Sequence, residues 1–201
     1  MTFKNNKPTW TDISRENALF LLIDFQEKFF PLLKKKMTAL TKANILLLVN
    51  MFKELGVPMI GTEHYVKGLG HTESDILEAW GDAPMSDKIS FNCCGDGTFL
   101  KNLETSSRPF VVVAGLETHI CVLQTVLDLL DRDYRVVVLK DAVISSSKLK
   151  WENGIELMKD AGASILNTET LLFYLLKRAD TAEFKYLVKL LKDRRTAPDG
   201  H

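Results

Sequence analysis

The chain has 201 residues, 46% of them apolar and 26% charged, and its 26 basic side chains balance 26 acidic ones. The length suits one domain, and the composition suits a soluble globular protein rather than a disordered chain. Zero formal charge supplies no general drive towards nucleic acid or an anionic membrane, and no apolar run is as long as a membrane span.

The opening "MTFKNNKPTWTDISREN" holds no apolar core of a secretory signal. Three cysteines, two of them adjacent (Cys93 and Cys94), make a poor disulfide framework, so the expected setting is reducing, intracellular and cytoplasmic. The first structured run, "ALFLLID" (18–24), reads as a strand buried on both faces. A helical pattern over 38–55 follows, closed by Gly56, and then a second strand, "VPMIGTE" (57–63). Residues 65–103 break the rhythm with the loop-rich "KGLGHT" and "NCCGDGT", the kind of segment in which a fixed sheet carries its site.

Regularity returns with "PFVVVAG" (109–115) as a strand and a helix over 117–131. "RVVVLKD" (135–141) is a further strand, followed by a helix over 148–161 that Gly162 closes. A short strand "ASILN" (163–167) and a helix over 168–178 come next. A tail helix at about 181–195 puts Phe184, Leu187, Val188 and Leu191 on one face, to dock on its own domain or at a subunit interface. Strands alternating with helices imply right-handed crossovers and a parallel sheet covered on both sides, an α/β fold. No internal repeat is visible, and residues 1–201 read as a single domain.

In such sheets ligands bind beyond the carboxyl ends of the strands. That rule brings Asp24, the "GTEH" segment and "GLETHIC" towards one cleft. If Glu117 or Thr118 caps the helix that follows, Cys121 lies in its first turn, where unpaired N–H groups and the positive end of the dipole favour an anion. Such a position can lower a thiol pKa from about 8.5, and the same N–H groups can hold an oxyanion. The plain alternative is a packed thiol, because free cysteine is among the most buried residue types. Asp24 is either a turn cap or an acid–base group. Lys88 is either solvated or the positive charge that steadies a neighbouring thiolate and carboxylate.

The segments "LLIDFQEKFF", "ISF" after Lys88, "VVVAGLETHICVLQTVLDLLDRDYRVVVLKDAV" and "GIELMKDAGASILNTETLLFYLL" together resemble the isochorismatase-like cysteine hydrolase superfamily across residues 18–176. "TEHYVKGLGHT" further resembles its eukaryotic isochorismatase-domain-containing branch. The resemblance implies a three-layer α/β/α sandwich around a mainly parallel sheet, in a homo-oligomer acting on a small molecule. It implies a triad in which Cys121 is the nucleophile, Asp24 the base and Lys88 the group that orients their charges. The backbone N–H groups of Ile120 and Cys121 would hold the oxyanion, and Leu116–Glu117 would be a non-proline cis peptide. Gln26, Phe29, His64, Tyr65 and His119 are placed as pocket residues.

Departures narrow the reaction. Nicotinamidases of this superfamily carry an Asp-x-His…His metal set, whereas the matching stretch here offers Glu63, His64 and His71 without the aspartate. No metal and no cofactor are therefore expected. Isochorismatases proper lack a nucleophilic cysteine, so Cys121 argues against that reaction as well. The expected function is a metal-independent cysteine hydrolase of a small amide, carbamoyl or related C–N bond, working through a thioester. Two other readings stand beside it: a non-catalytic binding or scaffold member of the fold, and a redox-responsive thiol protein pairing Cys121 with Cys93 or Cys94.

Overall fold

Apolar runs without polar alternation can satisfy their backbones only beside other strands under cover on both faces. Six segments do so in one all-parallel sheet: β1 (Ala18–Ile23), β2 (Met59–His64), β3 (Met85–Lys88), β4 (Phe110–Leu116), β5 (Arg135–Ile144) and β6 (Ser164–Leu166). The computed structural model describes residues 9–196, with side chains to 194. Residues 1–8, at the start of the expected domain, and residues 197–201 lie outside the described residues. Eight α-helices accompany the strands among the described residues: α1 (Lys35–Glu54), α2 (Val66–Leu69), α3 (Ser74–Trp80), α4 (Gly97–Ser106), α5 (Leu123–Asp131), α6 (Lys148–Asp160), α7 (Thr168–Leu176) and α8 (Ala182–Thr196).

Strand periodicity splits the core in two. Phe20 and Leu22 of β1 join Ile45, Leu48 and Phe52 of α1, Leu171 of α7 and Leu187 of α8 on one face. Leu19, Leu21 and Ile23 join Phe99 of α4, Val126 and Leu129 of α5 and Met158 of α6 on the other. The result is the three-layer α/β/α sandwich. The tail helix α8 docks on its own domain through Leu187, and Arg194 donates to Asn44 Oδ1 of α1 at 2.7 Å.

The strands lie in the order β3-β2-β1-β4-β5-β6. The chain winds outward from β1 on one side and from β4 on the other, so β1 and β4 are neighbours whose following helices, α1 and α5, cover opposite faces. Their carboxyl-end loops diverge and leave a crevice at this switch point. Residues 65–103 hold more regular structure than the sequence expectation, since α2, α3, β3 and the start of α4 fall there. The polar-looking "MSDK" forms β3 as an edge strand, with Ser86 and Lys88 buried. Helix α4 begins where Asp96 accepts the Phe99 N–H at 2.7 Å and buries Phe99 and Leu103.

Candidate active site

Strand β1 ends at Ile23, and Asp24 turns the chain with a left-handed backbone (φ 49°), which Asp adopts more readily than most residues. The turn leaves its carboxylate fully buried above the sheet. Thr62 of β2 stands opposite Ile23 in register and donates from Oγ1 to Asp24 Oδ1 at 2.7 Å. Lys88, the last residue of β3, donates from Nζ to Asp24 Oδ2, also at 2.7 Å. Its other two N–H groups reach the carbonyls of Ser90 (3.0 Å) and Phe91 (3.3 Å). An ammonium has three donors, and all three are used. The side chains of this ion pair are 0% and 1% exposed. Burial pulls the Lys88 pKa down, but the neighbouring charges, Asp24 first, outweigh it and hold the group above its ordinary value.

On the other side of the crevice, Gly115 faces Ile23 across the β1–β4 ladder with φ 128°. A Cβ there would lie 2.0 Å from the Ile23 carbonyl oxygen, so close approach of the two strands requires glycine. The Leu116–Glu117 peptide is cis. A single π-helical turn, Thr118–Val122, then carries Cys121 before α5 begins at Leu123. This corrects the expected uninterrupted helix from 117: the Val122 N–H reaches back to the Glu117 carbonyl (3.3 Å), widening the first turn. The Ile120 N–H donates to the same carbonyl at 3.0 Å.

Cys121 is 6% exposed. Its pKa is pushed up, contrary to the expectation from a helix start. Burial of the thiolate is the largest cause, and the charge of Asp24 and a hydrogen bond with it add to the rise, while Lys88 opposes them. The resting group is thus a neutral thiol against a carboxylate whose counter-ion is Lys88. The structure brings Asp24, Lys88 and Cys121 together, although they are far apart in sequence.

Cys93 joins them from the loop after β3. It is fully buried, and its Sγ lies 3.5 Å from Thr62 Oγ1. Burial pushes the Cys93 thiol up to about 11 and that of Cys94 to about 12. All three thiols are free. Thr62 is the site residue that the sequence reading did not single out. Its segment, "GTEH", was selected by its place at a strand end, but a threonine in a strand looks like ordinary β-former.

The expected pocket residues part company. Gln26 is buried with its amide committed: Oε1 accepts the His64 N–H at 2.7 Å, and Nε2 donates to the carbonyls of His64 and Gly70. It clamps the loop after β2 instead of presenting an amide to a ligand. Phe29 packs on the α1 face, away from the cluster that holds Cys121. The His64 ring lies 5.4 Å from that of Phe91, and burial followed by the charge of Lys88 lowers its pKa. Tyr65 is exposed and left-handed (φ 46°). His119 Nδ1 pairs with Ser145 Oγ at 3.1 Å, and burial lowers its pKa too. Glu63 and His71 meet at 3.0 Å, and among the described residues no group of three or more His, Cys, Asp and Glu side chains could hold a metal ion.

A doubly wound parallel sheet with a buried charged pair and a thiol at its switch point is an α/β protein whose candidate site lies at the strand ends. The comparisons give the family. The isochorismatase domain model matches residues 18–170, and the chain belongs to the isochorismatase family. It is 33% identical to isochorismatase family protein 1A of Dictyostelium discoideum, over 92% of this chain and 90% of that one. It is also 33% identical to isochorismatase domain-containing protein 2 of Bos taurus, over 92% and 86% of the two chains. Among solved structures, the Mar1 ribonuclease of Caenorhabditis elegans superposes with a TM-score of 0.84 at 33% identity, over 94% of this chain and 95% of that one. The YcaC protein of Escherichia coli, described as an octameric hydrolase of unknown specificity, shares the fold with a TM-score of 0.85 at 22% identity, over 92% of each chain.

Proposed function

We propose that the chain is a metal-independent cysteine hydrolase acting on a small amide, carbamoyl or related C–N bond. The observation that carries this reading is the buried Asp24–Lys88 pair set against the Cys121 thiol. Hydrophobic residues of the same volume would cost less to bury than two charges, and a chemical task accounts for keeping them. As the Cys121 sulfur attacks the substrate carbonyl, Asp24 takes the thiol proton, and Lys88 holds the carboxylate in place and offsets the charge passing to sulfur. The N–H of Cys121, joined by that of Ile120 once it leaves the Glu117 carbonyl, receives the oxyanion. Collapse breaks the C–N bond, and the amine leaves with the proton that Asp24 returns. Asp24 then draws a proton from water, hydroxide attacks the thioester, and the acid departs as sulfur regains its proton.

The near-complete burial of Cys121 favours a small substrate over a polymer, in line with a chain of no net charge. We read the protein as a homo-oligomer whose exposed Ile89 and Phe91, next to Lys88, are covered by a neighbouring copy. Among the described residues no helix is long and apolar enough to cross a membrane, and an intracellular place is supported by the three free thiols. The redox reading is weaker because Cys93 and Cys121 both hold their protons tightly, and the thiolate is the form that oxidises.

The test is trapping together with turnover. An electrophilic nitrile or aldehyde should add one mass to the parent protein and none to Cys121→Ser. A panel of amides and carbamoyl compounds should show ammonia release that depends on Cys121. Equal labelling of both proteins, or release unchanged in Cys121→Ser, would leave a binding protein; Cys121-dependent cleavage of RNA in place of the small compounds would replace the substrate class.

A further inference from the structure

A groove of about 710 Å³ opens between the start of α1, the end of β5 and the start of α6, outside the set of groups around Cys121. Its walls are hydrocarbon: Met37 and Leu40 of α1, Val143 and Ile144 of β5, and Trp151 of α6. The Trp151 indole N–H is spent on the carbonyls of Lys140 and Val143, at 3.2 and 3.1 Å, which leaves ring carbons to line the groove. Met37 and Leu40, in the first two turns of α1, are 49% and 42% exposed along the groove. The volume lies in the range of small-molecule sites, which are likewise mostly apolar with a few polar groups to orient the ligand.

The rim carries one sign of charge. Lys34, Lys36, Lys140 and Lys148 line the groove against one carboxylate, Asp141, whose Oδ1 is occupied by the N–H and hydroxyl of Thr168 (2.8 and 2.9 Å). Lys148 pairs with Glu152 at 3.2 Å, while Lys34, Lys36 and Lys140 have no ion-pair partner among the described residues. Lys34 is moreover the N-cap of α1, Lys35 and Lys36 follow it, and no acidic residue stands in that first turn. Positive charge there opposes the helix dipole, so helix stability alone does not account for it.

We propose that this groove binds a small amphipathic carboxylate, with an aliphatic or aromatic body against Met37, Leu40 and Trp151 and its charge between Lys36 and Lys140. A second copy seated symmetrically would bring the two lysine rims together. A flat bilayer would not reach the groove floor, where Val143 and Ile144 are 3% and 4% exposed. A small anion meets both conditions at once. Ser145 also lines the groove and holds His119, two residues before Cys121, so an occupant touches the partner of a residue in the cysteine turn.

The probe is decanoate, titrated calorimetrically into the parent protein and into Cys121→Ser, with 1-decanol as the uncharged control. Because both proteins are titrated, failure of the hydrolase reading leaves this result intact. Saturable one-to-one binding is expected, weakened by salt, with decanoate about tenfold or more tighter than decanol through its charge-assisted contacts. Lys36→Glu with Lys140→Glu should remove that advantage, and Leu40→Glu, at an exposed position, should abolish binding of both while leaving the melting curve unchanged. The His119 ring signals should shift on titration. No saturable binding, equal affinity for decanol, or indifference to Leu40→Glu would overturn the proposal. So would sedimentation showing a dimer that Leu40→Glu dissociates, since a second copy would then fill the groove.

Discussion

Replacing Asp24 by Asn should make Cys121 react faster with a simple alkylating agent while removing turnover. Asp24 raises the thiol pKa by its charge and by a hydrogen bond, and it occupies Lys88. At 2.7 Å and an effective dielectric of about 20, the Lys88–Asp24 attraction is roughly 6 kcal/mol. In Asp24→Asn that attraction is released, and the Cys121 thiolate becomes the available counter-ion for Lys88. At a separation of about 4 Å it would recover about 4 kcal/mol in the same medium. A third of that already raises the thiolate fraction at neutral pH about tenfold, since about 1.4 kcal/mol is one decade. The assay is the iodoacetamide rate from pH 6 to 9 (roughly the range around a free thiol pKa), followed by intact mass with Cys121→Ser as baseline. Hydrolysis of any substrate found in the panel should fall by about 10²–10⁴, the share expected of a general base. If folded Asp24→Asn protein alkylates at or below the parent rate at neutral pH, the proposed electrostatics of the three side chains are wrong.

Other outcomes follow from single contacts. Gly115→Ala must place a methyl 2.0 Å from the Ile23 carbonyl at φ 128°; overpacking and backbone strain together predict a loss of about 2–6 kcal/mol in denaturant unfolding, and a change as small as that of a surface substitution would contradict the strand geometry. Thr62→Val deprives Asp24 Oδ1 of its 2.7 Å donor and should cost about 1.5–3 kcal/mol, with Thr62→Ser retaining most of the stability; equal losses in both would assign the effect to packing. His64 has its folded pKa held below 6.5 by burial and by Lys88, so the unfolded chain binds that proton more readily. Its stabilising contribution is therefore present above 6.5 and lost as the pH falls below that value, and an NMR titration midpoint at or above 6.5 would disprove the shift.

Strands β1 and β4, at the centre of the sheet, were legible because their burial is total. Runs such as "ALFLLID" and "PFVVVAG" have no polar face, and a chain of ordinary charge can hide them only inside a parallel sheet. The family resemblance carried Asp24, Lys88 and Cys121. Their neighbours were less visible. Strand β3 escaped notice because "MSDK" is short and polar, and its lysine is buried only because Asp24 neutralises it from two strands away. The widened turn at Cys121 escaped because side-chain pattern does not report a shift of one residue in a backbone ladder.

Local sequence, then, determined most of the strands and helices outside residues 65–103, since apolar periodicity and the glycines that stop helices act over a few residues. The tertiary structure decided the state of the thiol. A helix start alone favours an anion, but whether Cys121 is a thiolate or a thiol depends on how far water is excluded and which charges arrive from β1 and β3. Those are long-range electrostatic quantities, set by strand order and burial, and no run of residues around Cys121 contains them.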